Sequence, residues 1–89
     1  IMENWQQNND SLEKTFVLDS FEDVMRFMVL ATPHISEKNH HPTWTNTYNQ
    51  LHVKLTTHDA GNQVTEKDRE LARFLDTLYE TFAAELLAR

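Results

Sequence analysis

Two segments of the chain carry apolar residues at the spacing of one face of a helix. The first begins at Phe21, directly after Asp19 and Ser20, and either of these two residues can cap a helix N-terminus. Proline disfavours helical backbone in the residue before it, so Pro33 predicts that this helix ends at Thr32.

The second helical segment follows Thr65, a favourable N-cap residue, and Asp68 is placed three residues later to complete a capping box. Its apolar residues recur at i, i+3, i+4 and i+7, and together they form a stripe that predicts packing against a sheet. The stripe consists of Leu71, Phe74, Leu75, Leu78, Phe82 and Leu86.

The remaining segments predict four strands. Residues 5–9 are a weak candidate, and residues 12–19 alternate between apolar and polar positions with Lys14 as the exception. Residues 44–48 and 51–57 are rich in Thr, Val and aromatic residues. The order strand, strand, helix, strand, strand, helix predicts an α+β domain, with a mainly antiparallel four-stranded sheet and two main helices packed on one face.

The last two predicted strands are close enough to form a hairpin. If residues 49–50 are a two-residue loop, Tyr48 lies opposite Leu51 and Trp44 lies opposite Leu55. The large apolar residues of both strands then share one face of the sheet, as a core requires.

Extending the same register brings three histidines to the open end of the hairpin. His41 falls opposite His58 and His40 falls opposite Asp59, on or beside the face away from the helices. Imidazole exchanges protons near neutral pH because its unperturbed pKa is about 6.5. This cluster therefore predicts acid–base chemistry without a covalent intermediate.

Two other interpretations of the histidines compete with catalysis. The cluster could be ordinary surface residues, as we expect for His34 in a polar loop and His52 on the solvent face of a strand. A zinc site is the second alternative, although adjacent residues on a strand point to opposite faces, so His40 and His41 do not easily share one metal ion. The five phenylalanines are most simply core residues.

Composition restricts the class of protein. The 89 residues suffice for one domain, 1–89, and the net charge of −6 with scattered basic residues argues against binding to nucleic acid or anionic membranes. No apolar run approaches the roughly 18 residues of a membrane helix. The absence of Cys and the polar first ten residues lead us to expect a cytoplasmic protein.

The segments 39–49 and 55–59 together resemble the pterin-4a-carbinolamine dehydratases. That family has a His-His-Pro sequence, an aromatic residue shortly after it, a third His at the end of the next strand and an Asp opening the last helix. Here His40, His41 and Pro42 are followed by Trp44, the third histidine is His58, and Asp68 opens the helix. The resemblance extends from Trp5 to about Leu78.

The resemblance implies a hydro-lyase that converts 4a-hydroxytetrahydropterin to quinonoid dihydropterin and so recycles the cofactor of aromatic amino-acid hydroxylases. It implies an α+β fold and no metal or organic cofactor. It assigns catalysis to His40, His41 and His58, and contacts with the pterin substrate to Asn39, Thr56, Thr57 and Asp59. The alternative function is a protein-binding module that acts as a dimerisation cofactor or transcriptional coactivator.

One departure from the family concerns the position four residues before the first histidine of the pair. Many members have an acidic residue there that can orient an imidazole, whereas this chain has Ser36, with Glu37 next to it. The expected catalytic class is unchanged, but the orienting contact is in question.

Self-association is also expected. Ala72, Tyr79 and Ala83 form a second, partly apolar line on the last helix, and Phe27 and Leu30 lie off the main stripe of the first helix. Helices that are apolar on more than one side favour burial against another copy. Together with the assembly known in the resembling family, this predicts a homo-oligomer, a dimer or tetramer.

Overall fold

A computed structural model describes residues 4–87, with side chains described through Glu85. The elements are β1 (Gln6–Gln7), β2 (Leu12–Val17), α1 (Phe21–Lys38), β3 (Thr43–Thr47), β4 (Gln50–Leu55) and α2 (Glu66–Leu87). The strands form one antiparallel sheet in the order β1-β2-β4-β3, and both helices pack on one of its faces. The predicted α+β architecture is confirmed. Within residues 4–87 no helix is long and apolar enough to cross a membrane.

Alternate residues of the two central strands point towards the helices and form the core. On β2 these are Leu12 and Phe16, and on β4 they are Leu51, Val53 and Leu55, all at most 2% exposed. The predicted alternation is therefore confirmed for both strands. The side chain of Leu86, the last residue of the predicted stripe on α2, lies outside the described side chains.

Lys14, the polar exception in the pattern of β2, also points towards the helices. Its Nζ lies 2.7 Å from Oδ1 of Asp76 on α2 and 4.8 Å from the centre of the Phe16 ring. The other oxygen of Asp76 accepts a hydrogen bond from Nε1 of Trp5 at 2.9 Å. A partner on α2 and an aromatic ring thus allow a lysine to occupy a core-facing position.

Helix α1 does not end at Thr32, so that prediction was wrong. It continues through Pro33 to Lys38, and Asn39 ends it in the left-handed conformation, with φ of 49°. Proline removes one backbone hydrogen bond from the helix. The extra turns compensate by burying Ile35 to 5% exposure, as the next position of the apolar stripe.

The β3–β4 hairpin has the predicted faces but a different register. The loop is residues 48–49 rather than 49–50, so Trp44 lies opposite Val53. The prediction that Tyr48 shares the core face was wrong, because Tyr48 is 67% exposed in the turn, with φ of 49°. The shift of two residues leaves the apolar side chains of the strands on the core face. The Asn46 side chain stabilises this loop by donating to the carbonyls of Tyr48 and Gln50.

The second apolar line predicted on α2 belongs mainly to the core of the same molecule. Ala72 is fully buried, and Tyr79 packs on Phe16 at 5.2 Å between ring centres and donates its hydroxyl to the carbonyl of Val17. Phe27 is also fully buried, whereas Phe21, predicted as core, is 44% exposed. Among residues 4–85, the large apolar side chains that remain exposed are Val17, Phe21, Val29, Leu30 and Tyr48.

Candidate active site

The segments that follow α1 and β4 meet the first turn of α2 and border a cavity of about 230 Å³ that is open to solvent on one side. We call it the histidine cavity. It is lined by Asn39, His40, His41, Thr56, Thr57, His58, Asp59 and Lys67. The structure thus brings together all seven site residues named from the sequence. Lys67 is the residue that sequence reasoning missed, although its position next to Asp68 in the capping box was a usable signal.

The predicted pairing of His41 with His58 and of His40 with Asp59 was wrong. Strand β4 ends at Leu55, and residues His58–Ala60 form a 3₁₀ turn instead of continuing the ladder. The predicted location was also wrong, because His40 contacts Asp68 of α2 and the cavity lies at the N-terminus of that helix, not on the opposite face of the sheet.

Asp68 holds His40 in place. Its side chain is 0% exposed, and its Oδ1 lies 2.7 Å from Nε2 of His40. A carboxylate can only accept hydrogen bonds, so Nε2 of His40 carries the hydrogen. In the neutral imidazole the lone pair is therefore on Nδ1, the nitrogen that Asp68 leaves free.

The second oxygen of Asp68 connects the segment that follows β4 to the residue that precedes α2. Oδ2 accepts from the Thr57 hydroxyl at 2.7 Å and from the Thr65 backbone N–H at 2.9 Å, as the predicted capping box requires. Thr57 uses its only hydroxyl hydrogen for this bond, so Thr65 donates to Thr57 across the 2.6 Å between their hydroxyl oxygens. Asp68 thus accepts three hydrogen bonds, which offsets the cost of burying a carboxylate.

His58 has the opposite arrangement of ring nitrogens. Its Nδ1 lies 3.0 Å from Oδ1 of Asn62, an amide oxygen that can only accept, so Nδ1 carries the hydrogen and Nε2 has the lone pair. Asn62 and Gly61 both have positive φ values, 60° and 77°, which give this turn its shape. The His41 imidazole is exposed at the rim of the cavity.

A second cavity, of about 330 Å³, lies beside the first and shares His40 and Lys67 with it. We call it the helix-end cavity, and its lining is His34, Lys38, His40, Glu66, Lys67, Glu70 and Leu71. His34 lies on α1, so the prediction that it lies in a polar loop was wrong. Its ring stacks on Phe74 at 3.7 Å between centres, and its Nε2 lies 2.9 Å from Glu70.

Glu66 is held on the side of α2 by two arginines. Hydrogen bonds from Arg73 and Arg69, in that order of importance, lower the pKa of the Glu66 carboxyl below its ordinary value. Both carboxylates of the helix-end cavity are therefore engaged, Glu66 by these arginines and Glu70 by His34.

Comparison with known protein families supports a single assignment. The family model for pterin 4 alpha carbinolamine dehydratase matches residues 1–78. A protein of Opitutus terrae, provisionally named pterin-4-alpha-carbinolamine dehydratase, is 49% identical over 72 residues, which are 81% of this chain and 74% of that protein. A protein of Roseobacter denitrificans with the same provisional name is 42% identical, over 81% of this chain and 72% of its own length.

Solved structures with the same fold carry two kinds of description. A Brucella melitensis protein described as a transcriptional coactivator/pterin dehydratase superposes with a TM-score of 0.81 and 31% identity, over 88% of this chain and 84% of that one. A pterin dehydratase-like protein, described as a RuBisCO assembly factor in the alpha-carboxysome, has a TM-score of 0.68 and 20% identity, over 84% and 86% of the two chains. The second likeness extends to the fold alone.

Proposed function

Since the chain belongs to the pterin-4-alpha-carbinolamine dehydratase family, we propose that it removes water from 4a-hydroxytetrahydropterin and forms quinonoid dihydropterin. The product is an oxidised pterin that reduction returns to the tetrahydropterin cofactor of aromatic amino-acid hydroxylases. The observation that carries the proposal is the histidine cavity, in which His40 and His58 each keep one ring nitrogen without a hydrogen-bond partner among the residues that the structure describes.

Dehydration needs two proton movements. The bond between C4a and the hydroxyl oxygen breaks as that oxygen receives a proton and leaves as water. A ring nitrogen of the pterin loses a proton, and the electron pair of its N–H bond becomes part of the new double bond. One imidazole gives a proton and another takes one, so the enzyme returns to its starting charge after each turnover.

The atoms that exchange these protons follow from the hydrogen bonds. For His40 the exchanging atom is Nδ1, because Asp68 holds Nε2, and for His58 it is Nε2, because Asn62 holds Nδ1. We assign His41, exposed at the rim, to the same catalytic set. Asp68 acts as a positioning residue, and it supplies the orienting carboxylate that Ser36 does not.

We assign the substrate contacts to four residues that line the histidine cavity, Asn39, Thr56, Thr57 and Asp59. Thr57 and Thr56 have already committed their hydroxyl hydrogens, to Asp68 and to the carbonyl of Asp10 respectively, so each hydroxyl could meet the pterin only as an acceptor. The Thr57 hydroxyl is buried and already accepts from Thr65, so of the two hydroxyls Thr56 is the more accessible. Asn39 and Asp59 are exposed at the cavity. We assign Asp59 to the adjacent N–H groups of the pyrimidine ring, a pattern that a carboxylate binds with two parallel hydrogen bonds.

The test is a quinonoid-dihydropterin formation assay, with 4a-hydroxytetrahydropterin generated in situ. His58→Ala is expected to lower kcat by ~10² to 10⁴, the usual contribution of a general acid or base. It should have little effect on stability, because His58 is exposed. The matched control is His52→Ala, which removes an imidazole from the outer face of β4 and should leave kcat unchanged. Equal rates in both variants would remove His58 from the mechanism.

A second function, protein binding, is favoured by one side of α1. Phe21, Met25 and Val29 are four residues apart and so lie along one side of the helix, where Phe21 is 44% and Val29 69% exposed. The Brucella melitensis protein is described as a coactivator as well as a dehydratase. We propose that this side of α1 binds protein, and that a second copy of the chain is one partner. Val29→Glu should then lower the mass measured by light scattering without changing dehydratase kcat.

A further inference from the structure

Three polar side chains form a hydrogen-bonded row on the face of the sheet away from the helices. Thr15 on β2 lies opposite His52 on β4, and its hydroxyl oxygen is 2.9 Å from Nδ1 of the His52 ring. Nε2 of the same ring is 2.9 Å from Oε1 of Glu13, which shares the outer face because it is two residues from Thr15 on the same strand. This row is separate from the histidine cavity.

The direction of both hydrogen bonds follows from the carboxylate. Glu13 can only accept, so Nε2 of His52 carries the hydrogen, and in the neutral ring the lone pair is on Nδ1. The Thr15 hydroxyl therefore donates to Nδ1 of His52. The sequence of groups, from hydroxyl to imidazole to carboxylate, is that of the serine protease triad with the two ring nitrogens exchanged.

The Glu13 carboxylate is held in place by further side chains. Its Oε2 accepts from Nδ2 of Asn8 at 2.7 Å and from the Ser11 hydroxyl at 3.3 Å, so Oε1 is directed to His52. The hydrogen bond from His52 is the main cause that lowers the pKa of the Glu13 carboxyl below its ordinary value. Glu13 thus fixes the tautomer of His52 and stabilises the positive charge that the ring acquires when it takes a proton.

The Thr15 hydroxyl has space beside it for another molecule. Thr15 is exposed, and it lines a solvent-open cavity of about 350 Å³ along the part of β2 that lies beyond its pairing with β1. Val17 and Tyr79 line the same cavity and provide apolar surface for an aryl or alkyl group. A small apolar ester can therefore approach Thr15 from this side.

We propose that Thr15, His52 and Glu13 form an acyl-transfer site, in which Thr15 takes an acyl group from small activated esters. Oγ1 of Thr15 attacks the carbonyl carbon while its proton passes to Nδ1 of His52. The bond between that carbon and the leaving oxygen then breaks, the leaving group takes the proton from His52, and an ester of Thr15 remains. His52 is the general base and Glu13 is a positioning residue.

The experiment treats the protein with para-nitrophenyl acetate and follows acetylation of each residue over time by mass spectrometry of its peptides. Thr15 should be acetylated about 10²-fold faster than Thr45, the exposed threonine opposite His52 on β3, since a general base usually contributes at least this factor. His52→Ala should remove the difference, and Thr15→Ser, which keeps the hydroxyl, should retain it. Thr45→Val is the matched control and should leave acetylation of Thr15 unchanged.

Glu13→Gln tests the positioning role. The amide oxygen can keep the hydrogen bonds from Asn8 and Ser11, so the amide N–H₂ faces Nε2 of His52 and the ring hydrogen moves to Nδ1. ¹⁵N NMR of the ring should show this tautomer, and acetylation of Thr15 should become slow. Fast acetylation with the hydrogen on Nδ1 would overturn the proposal, as would equal rates for Thr15 and Thr45 in the unaltered protein or an unchanged rate for Thr15 in His52→Ala.

Discussion

Asp68→Asn separates the positioning of His40 from the presence of its imidazole. The amide has one oxygen, which can replace Oδ2 of Asp68 and keep the hydrogen bonds from Thr57 and Thr65. The amide N–H₂ then faces Nε2 of His40, which must accept instead of donate. The hydrogen of the imidazole moves to Nδ1, and the nitrogen assigned to proton exchange is no longer free.

We estimate the loss of kcat from a comparable enzyme and the loss of stability from the hydrogen bonds of Asp68 that change. Loss of the required imidazole tautomer through an Asp→Asn change lowers kcat by about 10⁴ in the serine protease triad. Here we expect roughly 10² to 10⁴, because other histidines of the cavity remain. Two hydrogen bonds to a carboxylate become bonds to a neutral amide oxygen, and the third is reversed, because the amide N–H₂ donates to Nε2 of His40. That change costs about 2 kcal/mol and lowers Tm by roughly 10 °C.

The assays are steady-state dehydration kinetics, thermal unfolding and ¹⁵N NMR of the His40 ring, which distinguishes the two tautomers. Asp76→Asn is the matched control, since Asp76 is on the same helix and also accepts from two side chains, those of Trp5 and Lys14. It should lose stability and retain kcat. A His40 ring still protonated at Nε2 in Asp68→Asn, or a kcat within threefold of the unaltered enzyme, would refute the reasoning.

Three further predictions concern the whole molecule. Pro33→Ala should stabilise the protein by about 1–3 kcal/mol in chemical denaturation, because it restores the hydrogen bond that Pro33 removes from α1. A loss of stability would contradict this and show that packing of the proline ring contributes more than the missing hydrogen bond costs. Dehydratase activity should survive exhaustive chelation with EDTA, and activity lost to EDTA and restored by zinc would contradict the histidine mechanism. Light scattering at micromolar concentration should return a mass well above the 10.5 kDa of one chain, and a clean monomer would exclude the homo-oligomer.

The sequence predicted the sheet, the two helices and the grouping of the site residues, because alternation and helical spacing report directly on which face is buried. The predictions were wrong where tertiary contacts outweigh the local conformational preference of the residues. Pro33 locally favours an end to α1, but burial of Ile35 and the stack of His34 on Phe74 carry the helix onward. The helix-end cavity was missed for this reason, since its wall includes Lys38 in the last turn.

The predictions of the hairpin register and of the site geometry were wrong for a different reason. Two registers that differ by two residues bury the same faces, so the hydrophobic pattern does not distinguish them. The hydrogen bonds of Asn46 select between them. The contact between His40 and Asp68 joins residues 28 positions apart, and no local pattern reports on it.

The hydrogen bonds of Asp68 have a consequence for how this fold evolves. Thr57, Thr65 and Asp68 close the junction between β4 and α2, so selection for folding alone would retain them in a descendant that no longer acts on pterins. His58, which is exposed, carries no comparable structural constraint and would drift first. Under the proposed mechanism, retention of the threonine–aspartate junction among chains of this fold would mark ancestry, and retention of the histidine that follows Thr57 would be the better mark of retained catalysis.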